Sequence, residues 1–357
     1  MHPLLEKYLQ AVKDILPQNT PTPSVGLDIG MESCKAVELI KKGDSFEILR
    51  WAVETVENEN LEGAVRKICG RLNITSKAPY TAVSGKGTLI RFIDMPRMSV
   101  EDLKKSFDIE SDRYFPFPKE QIYTNCYILD QESQDKQMSV LVAAAKKDII
   151  QERMKLLSSL GLPCSFIGVN SIAVANVFHT FGKMMPRGNP SKERPSGAAA
   201  VLDMGETASN LMVMVGHRPR FNRDIFVGGR DLTKRVSNLL GMGLPEAKAL
   251  KTQPADRLNE ILNACDSVLM NLVSEVRFSF DYFTTEYNMP IARLFLSGGA
   301  SLLQGVPELF SKNLDIPVER WNPIQYLKLA PGVSEQEIQK HSGLLGVALG
   351  LALYEYD

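Results

Sequence analysis

A motif of strand, turn and strand occurs twice in this chain, and the duplication limits the possible folds more than any other feature. The first copy is VGLDIGMESCKAVEL at residues 25–39, and the second is AAAVLDMGETASNLMVMV at residues 198–215. In each copy an apolar strand ends in Asp-x-Gly, four residues follow, and a second apolar strand begins, with a polar turn and a third strand after it. The long period indicates a duplicated domain and not a solenoid.

The turn of each copy has the residue types of a phosphate site. Glycine permits positive φ and lets a ligand approach the backbone, and the free N–H groups of such a turn form an anion-binding nest. Asp28 and Asp203, at the strand ends, can hold a hydrated Mg²⁺, and Lys35 can add positive charge. A single copy is equally compatible with an ordinary hairpin, but two facing copies favour a clamp on phosphates.

The composition excludes several classes of protein. A chain of 357 residues is long enough for two domains or one bilobal unit. A net charge of -1 provides no basic face, so we expect no nucleic acid partner. The five cysteines are far apart and form no C-x-x-C, which argues against disulfides and zinc and fits a reducing cytoplasm. The longest weakly polar run, at residues 343–353, is too short to span a bilayer, and the N-terminus lacks the order of a signal peptide.

The N-terminal segment precedes the globular part. Residues 3–16 have apolar side chains at helical spacing, which predicts an amphipathic helix. Its polar face carries both signs of charge, so we expect it to dock on its own domain or on a partner more readily than on a membrane surface. Residues 18–23, QNTPTP, predict a stiff linker, and the globular part begins near Ser24.

Between the two copies the chain predicts a short first lobe and an α+β unit. Ser84-Gly85-Lys86-Gly87 lacks the spacing of a P-loop and predicts a plain turn. Ser99 is the expected cap of a helix that Pro116 and Pro118 end, and Phe115 and Phe117 are expected to plug a core, with a binding patch as the less favoured alternative. The predicted strands are 46–56, 80–83, 89–95, 121–129 and 138–144, and the predicted helices are 61–72, 99–115, 148–161 and 167–181.

The second half adds helices and one more glycine turn. After a loop at residues 185–196 and the second hairpin, a long helical region reaches residue 287, broken near residues 241–245 and at Pro254. A strand at residues 293–297 ends in Ser-Gly-Gly-Ala-Ser and a helix N-terminus, which can face a phosphate or a nucleoside. The closing helix, residues 342–354, has glycines on a face suited to close packing.

This order of motifs resembles the actin, Hsp70 and sugar-kinase superfamily of two-lobed nucleotide binders, and the first hairpin is especially similar to the phosphate loop of actin. The α+β insert with Glu110, the run Tyr-Phe-Pro-Phe-Pro and the segment LVAAAK at residues 141–146 resemble the PilM family, cytoplasmic type IV pilus assembly proteins related to FtsA. The resemblance covers residues 25–354. It implies a duplicated, ribonuclease H-like α/β fold with two lobes and an FtsA-type insert, the 1C-like subdomain.

The resemblance also implies a domain division and a set of site residues. The expected domains are the N-terminal helix and linker (1–23), lobe 1 (24–88 and 167–197), the insert (89–166), lobe 2 (198–227 and 290–357) and a helical 2B-like subdomain (228–289). The expected site residues are Asp28, Gly30, Ser33 and Lys35 for the first phosphate loop, Asp203, Gly205, Thr207 and Ser209 for the second, Gly298, Gly299 and Ala300 at the adenosine, and Glu275 at the ribose.

By the same resemblance the cofactors are ATP and Mg²⁺, with Asp28 and Asp203 at the metal, and turnover is slow at most. The implied partner is the cytoplasmic peptide of a PilN-like inner-membrane protein, held between the insert and the first lobe, so the protein would lie at the inner membrane through its partners. Self-association is also possible. Met31-Glu32 and Glu206 depart from the usual loops, and carboxylates beside a triphosphate lower its affinity.

Other functions of the superfamily fit less well. A sugar kinase needs a base at a deep cleft, to which no acidic residue is clearly assigned, and an Hsp70-type chaperone carries a further domain after the last helix, which is not expected in a chain that ends at Asp357. An FtsA-like filament former in cell division and a nucleotide-free actin-like adaptor of a type II secretion-like system stay open.

Overall fold

The computed structural model describes residues 22–74, 78–129, 136–182 and 197–356. The predicted N-terminal helix, most of the predicted linker and the predicted loop at residues 185–196 lie outside these residues. Within them, every helix is too short or too polar to cross a bilayer.

The elements follow the predicted order closely. The strands are β1 (Ser24–Ile29), β2 (Ser33–Lys42), β3 (Ser45–Thr55), β4 (Tyr80–Val83), β5 (Thr88–Pro96), β6 (Ile122–Ile128), β7 (Gln137–Lys146), β8 (Phe166–Val169), β9 (Ala198–Met204), β10 (Ser209–Val215), β11 (Arg218–Ile225), β12 (Ile291–Ser297), β13 (Val318–Arg320) and β14 (Lys328–Leu329). The helices are α1 (Leu61–Leu72), α2 (Val100–Tyr114), α3 (Lys147–Ser159), α4 (Asn170–Phe181), α5 (Gly229–Leu240), α6 (Leu244–Thr252), α7 (Leu258–Tyr287), α8 (Val306–Leu314), α9 (Glu335–His341) and α10 (Gly346–Leu353).

Two sheets of the same topology form the lobes, as the duplicated motif predicts. The first has the order β14-β3-β2-β1-β4-β8, and the second has the order β11-β10-β9-β12-β13. In each sheet the hairpin strands pair antiparallel, and the first hairpin strand then pairs with a parallel strand, β4 or β12. Because the parallel strands end at one edge of their sheet, the Asp-x-Gly turns lie at those edges.

The α+β insert is a third sheet, of order β5-β7-β6, which the chain forms between β4 and β8. Helix α2 begins after Ser99, whose hydroxyl accepts a hydrogen bond from the amide of Asp102 (3.1 Å), as predicted. Phe115 is 3% exposed and belongs to the core of the insert, and Phe117 packs against that core while partly buried. The prediction of a core role is confirmed for Phe115, whereas Phe117 lies at the edge of this core and also lines a surface recess.

Helices α4 and α10 lie between the two lobe sheets and share one apolar core with them. The glycines of the closing segment make this packing possible, as predicted. A Cβ at Gly350 would lie 1.7 Å from the carbonyl oxygen of Ala173 in α4, and one at Gly26 in β1 would lie 1.9 Å from that of Ala348 in α10. The other face of the first sheet is covered by α1 and α3, and that of the second by α5, α7 and α8.

Two predicted elements differ in the structure. Residues 167–169, predicted as helix, are part of strand β8, because Phe166 to Val169 pair parallel with β4 and complete the first sheet. The helix predicted directly after the double glycine is a short 3-10 turn at Gly299–Leu302, and α8 begins only at Val306. The first difference arises from pairing between strands that are distant in sequence, which local periodicity does not record.

The domain division stays a prediction, and we propose two changes to it. Leu157 of α3, assigned to the insert, packs in the core of the first lobe, which favours an insert that ends at Lys146. Strand β14, assigned to lobe 2, pairs with β3, and α10 packs on β1, which favours a C-terminal segment shared with lobe 1.

Candidate functional site

The ends of β1 and β2 place a buried ion pair at the first turn. Asp28 and Lys35 are cross-strand partners, and Asp28 Oδ2 lies 3.1 Å from Lys35 Nζ. Their side chains are only 8% and 14% exposed. Burial lowers the pKa of Lys35, but Asp28, with smaller contributions from Asp203 and Cys34, raises that pKa above its ordinary value. The sequence suggests a hydrated carboxylate at this strand end, whereas the structure holds Asp28 in a desolvated pair.

Asp203, the equivalent residue of the second hairpin, lies close to this pair. Burial and the negative charge of Asp28 raise the pKa of Asp203 from 3.8 to about 6, while Lys35 and a hydrogen bond with Ser297 act in the opposite direction. The negative charge of Asp203 in turn acts to raise the pKa of Lys35, so charged groups of the two hairpins influence each other. The structure therefore brings together the three charged residues that the sequence predicts for the site.

The glycine turn after β12 lies directly over Asp203. Gly298 has φ of 83°, and a Cβ there would lie 2.8 Å from Asp203 Oδ1 and 2.5 Å from the carbonyl oxygen of Met204. Only glycine fits this position, since it combines positive φ with close approach to backbone. Ala300 is 7% exposed and would lie 3.5 Å from a Cβ at Gly229, so the turn borders the start of α5.

The two Asp-x-Gly turns have matching conformations. A Cβ at Gly30 would lie 2.9 Å from the carbonyl oxygen of Ser33, and one at Gly205 would lie 2.8 Å from that of Ala208. Gly30 also faces Lys35, whose Nζ would be 3.3 Å from that Cβ. Neither glycine is among those with positive φ, so close approach, and not the positive φ suggested by the sequence, requires glycine here.

Arg153 of α3 adds a cation that the sequence analysis missed. Its Nη2 donates to the carbonyl of Ile29 (3.2 Å) and its Nη1 to Thr81 Oγ1 (3.5 Å). Burial lowers the pKa of Arg153, and the nearby Asp28 acts to raise it. A signal was present in the sequence, since Arg153 stands between Ile150 and Leu157 at the spacing of the buried face of its helix.

Three cationic side chains of the helical subdomain lie beside the two turns. Lys248 Nζ of α6 lies 2.6 Å from Glu32 Oε1 in the first turn, and Arg230 Nε of α5 lies 3.7 Å from Glu206 Oε1 in the second. Lys251 Nζ donates to the carbonyl of Gly229 (2.8 Å), and its charge acts on Glu206. The run EAKALK at residues 246–251, with two lysines three residues apart, was the overlooked signal.

Some predicted site residues lie away from the glycine turn or have side chains engaged outside the phosphate loops. Glu275 pairs with Arg223 (2.5 Å) on β11, the edge strand that β9 and β10 separate from β12 and its glycine turn. This placement does not favour the predicted ribose role of Glu275, which stays a prediction. Ser209 is fully buried and donates to the carbonyl of Val227 (2.7 Å), which removes its hydroxyl from the phosphate loop. Ser33 begins β2 and Thr207 is exposed in the second turn, and their roles stay predictions.

Asp28 and Asp203 are the candidate ligands for Mg²⁺ at this site. Within the described part of the chain, no group of three His, Cys, Asp or Glu side chains is placed to hold a metal ion. Mg²⁺ bound with a nucleotide needs fewer protein ligands, since it keeps several waters and is held by one or two carboxylates and by phosphate oxygens. Asp203 beside Asp28 fits this arrangement, because burial and the charge of Asp28 raise the pKa of Asp203 and an added cation would act in the opposite direction.

Comparison with known proteins agrees with the fold. One solved structure, a PilM-PilN type IV pilus biogenesis complex, is 23% identical, with a TM-score of 0.80, over 94% of this chain and 99% of that chain. The ethanolamine utilization protein EutJ from Carboxydothermus hydrogenoformans is 14% identical, with a TM-score of 0.51, over 98% of each chain. The predicted two-lobed, actin-like fold is confirmed.

A protein-family model matches the part of the chain that contains the motifs described above. The model described as Type IV pilus assembly protein PilM matches residues 26–356. This range contains both hairpins, the insert and the closing helix. The chain therefore belongs to the PilM family of type IV pilus assembly proteins.

Proposed function

We propose that this protein is an ATP-binding, actin-like scaffold of type IV pilus assembly that docks the cytoplasmic tail of a PilN-like inner-membrane protein. The observation that carries the nucleotide part is the meeting of two Asp-x-Gly turns at the Asp28, Lys35 and Asp203 cluster, with Gly298 directly above Asp203. Buried charge of both signs beside backbone that admits no Cβ is an arrangement for a ligand and costs stability otherwise.

Different residues of the site would contact the phosphates, the metal and the nucleoside of MgATP. Lys35 and Arg153 supply positive charge at the phosphates, and the N–H groups of the turns supply hydrogen bonds. Asp28 and Asp203 would hold the hydrated metal, and the Gly298 turn would admit the nucleoside. When bound, Mg²⁺ neutralises phosphate charge and fixes the position of the phosphates.

Turnover is expected to be slow. Burial raises the pKa of Glu206, which would favour a base for water, but its carboxylate faces Arg230 (3.7 Å) and the charge of Lys251. A carboxylate engaged by these cations must leave them before it can orient and deprotonate a water molecule. ATP would therefore act mainly through lobe closure, and we expect turnover below about 1 s⁻¹.

The partner part of the proposal rests on the insert. Residues 115–120 line a recess of about 390 Å³, and Lys146 Nζ lies 5.2 Å from the ring centre of Phe117. Tyr123 is 51% exposed, with Lys147 Nζ 5.4 Å from its ring. Since Lys146 and Lys147 mark the passage from β7 to α3, these rings lie where the insert joins the first lobe. An extended peptide could use the aromatic walls for selection.

A melting experiment tests the nucleotide part. The full chain is heated with and without 5 mM ATP and Mg²⁺, and the Asp203→Asn variant is the control. We expect MgATP to raise the Tm of the wild type, following RT ln(1 + [L]/Kd), and to leave that of Asp203→Asn unchanged. Equal Tm values with and without MgATP in the wild type would contradict the proposal.

One observation favours a second candidate, the nucleotide-free adaptor of a type II secretion-like system. Glu32 and Glu206 already face Lys248 and Arg230, cations that a polyphosphate would otherwise attract. The same melting experiment decides between the two. Self-association, including an FtsA-like filament, stays a prediction that sedimentation with MgATP checks.

A further inference from the structure

One ion pair crosses between the lobes at the mouth of the candidate site. Glu32 lies in the turn between β1 and β2, and Lys248 lies on α6 of the helical subdomain. Their charged atoms are 2.6 Å apart, while the side chains stay 36% and 42% exposed. The backbone of the turn is fixed by a hydrogen bond, which the amide of Val56 donates to the carbonyl of Glu32 (2.9 Å). The contact therefore joins a fixed turn of one lobe to a helix of the other.

The second turn has a related arrangement within its own lobe. Its Glu206 faces Arg230 and Lys251, and the charge of Glu32 reaches both Glu206 and Lys251. The turn is fixed by the start of α5, since the amides of Gly229 and Arg230 donate to the carbonyls of Gly205 and Glu206 (2.9 and 2.8 Å). Each turn thus offers a carboxylate to the cations of the helical subdomain, and of the two pairs at 2.6 and 3.7 Å the one between Glu32 and Lys248 crosses from one lobe to the other.

A carboxylate and a phosphate compete for the same ammonium group. The Lys248 ammonium has three N–H donors, and a short contact with Glu32 uses its charge and part of its hydrogen-bonding capacity. A nucleotide phosphate placed between the two turns would meet the negative charge of Glu32 and find Lys248 already engaged. Displacing Glu32 into water removes both obstacles at modest cost, because the pair is partly exposed.

We propose that Glu32 is an internal competitor of nucleotide phosphate: without nucleotide it binds Lys248 and holds the lobes together, and a nucleotide binds by displacing it. This inference rests on the proposed nucleotide site and explains why a loop of this kind carries an acidic residue. Glu32 then sets the nucleotide affinity, and Lys248 changes partner from a carboxylate in one lobe to a phosphate between the lobes.

The first experiment measures MgATP affinity by calorimetry for the wild type and for Glu32→Gln. We expect the variant to bind up to about fivefold more tightly, the upper range for release of a half-exposed ion pair. Glu337→Gln is the matched control, because Glu337 forms a similar pair with Lys340 (2.7 Å, 54% and 57% exposed) on α9. Equal affinity in Glu32→Gln and the wild type would overturn the proposal.

The second variant separates competition for Lys248 from simple repulsion. In a Lys248→Gln background, Glu32→Gln should lose most of its fivefold gain, since the gain depends on a released Lys248. A gain of the same size in that background would mean that Glu32 only repels phosphate, and the proposal would be overturned.

Hydrogen exchange without nucleotide tests the lobe contact independently of ATP. We expect peptides that cover α6 and the first turn to exchange about threefold faster or more in Glu32→Gln than in Glu337→Gln, because opening of the cleft becomes easier. Unchanged exchange would overturn the lobe contact. If no protein binds MgATP, the proposed function fails and the competitor role with it, whereas a change in exchange would still support Glu32 as the link between the lobes.

Discussion

At the residue scale, the two site carboxylates occupy equivalent positions but have different partners. Asp28 faces Lys35 across its hairpin, whereas the residue opposite Asp203 is Asn210. Asn210 Nδ2 donates to Asp224 Oδ1 of β11 (2.7 Å), and burial raises the pKa of Asp224 as well. Asp203 therefore faces an amide and not an ammonium group across its hairpin, so we expect it to be the carboxylate that responds most to an added metal ion.

The first prediction concerns the pH dependence caused by Asp203. A carboxyl group whose pKa is raised from 3.8 to about 6 reduces folding stability by up to about 3 kcal/mol once ionised. The folded protein keeps this proton between pH 4 and about 6 while the unfolded chain releases it, so the penalty is absent at low pH and complete above the folded pKa. We expect Asp203→Asn to unfold at higher denaturant than the wild type at pH 7.5 and to lose this advantage towards pH 4.5. An advantage that stays constant with pH would contradict the assignment.

The second prediction concerns the buried pair of Asp28 and Lys35. Removing one partner leaves an uncompensated buried charge, so Asp28→Ala should lower the free energy of unfolding by about 3 kcal/mol. The double variant Asp28→Ala, Lys35→Met removes both charges and should recover at least half of the loss. Urea titrations of the single and double variants measure this. If the double variant is less stable than Asp28→Ala, the pair is not the reason for the cost.

At the scale of elements, the crossing of α4 and α10 depends on a single missing side chain. A Cβ at Gly350 would lie 1.7 Å from the carbonyl oxygen of Ala173, and backbone cannot yield as a flexible side chain does. Both helices fill the space between the lobe sheets, so a shift of either would disturb both lobes.

The third prediction follows from this contact. Gly350→Ala should lower the free energy of unfolding by about 3 kcal/mol or more, as overpacking of a core does at its upper end. Gly70→Ala in α1 is the matched control, because a Cβ there meets nothing within 4 Å and alanine favours helix by up to about 1 kcal/mol. Thermal melts of both variants give the comparison. Equal stability of the two would show that α4 and α10 can separate without cost.

Elements with strong local signals could be predicted from the sequence, and those set by distant contacts could not. Helix α1 has the predicted limits, because its apolar spacing, its cap Asn60 and its left-handed Asn73 lie within one short stretch. Strand β8 was predicted as the start of a helix, because its four residues have no strand pattern of their own and form a strand by pairing with β4. In the site, the repeated motif predicts Asp28, Lys35 and Asp203. Arg153 and Lys248 lie on helices outside the motif, and the packing of those helices against the turns cannot be read from a local pattern.

At the scale of the whole molecule, the lobes are joined at more places than the hairpin turns. The segment between β13 and β14 leaves the second sheet and adds a strand to the first, and α10 packs against both lobes. The insert also contacts the second lobe, since Arg220 Nη1 of β11 donates to Ser139 Oγ of β7 (2.7 Å). A change in lobe angle would therefore reach the insert, the surface proposed for the partner.

The last prediction tests whether the partner binds where the insert meets the first lobe. Tyr123 and Tyr127 are both on β6, on the same face and similarly exposed (51% and 61%), but only Tyr123 lies beside Lys147 at the start of α3. We expect Tyr123→Ala to weaken binding of a PilN-like N-terminal peptide about 10-fold or more, because aromatic anchors carry a large share of binding energy. Tyr127→Ala should bind as the wild type does, and neither variant should change the Tm, since exposed rings contribute little to folding. Calorimetry with the peptide and the full chain measures the affinities. Equal losses in both variants would place the peptide along the whole of β6, and a loss in Tyr127→Ala alone would move the site to the far end of the insert.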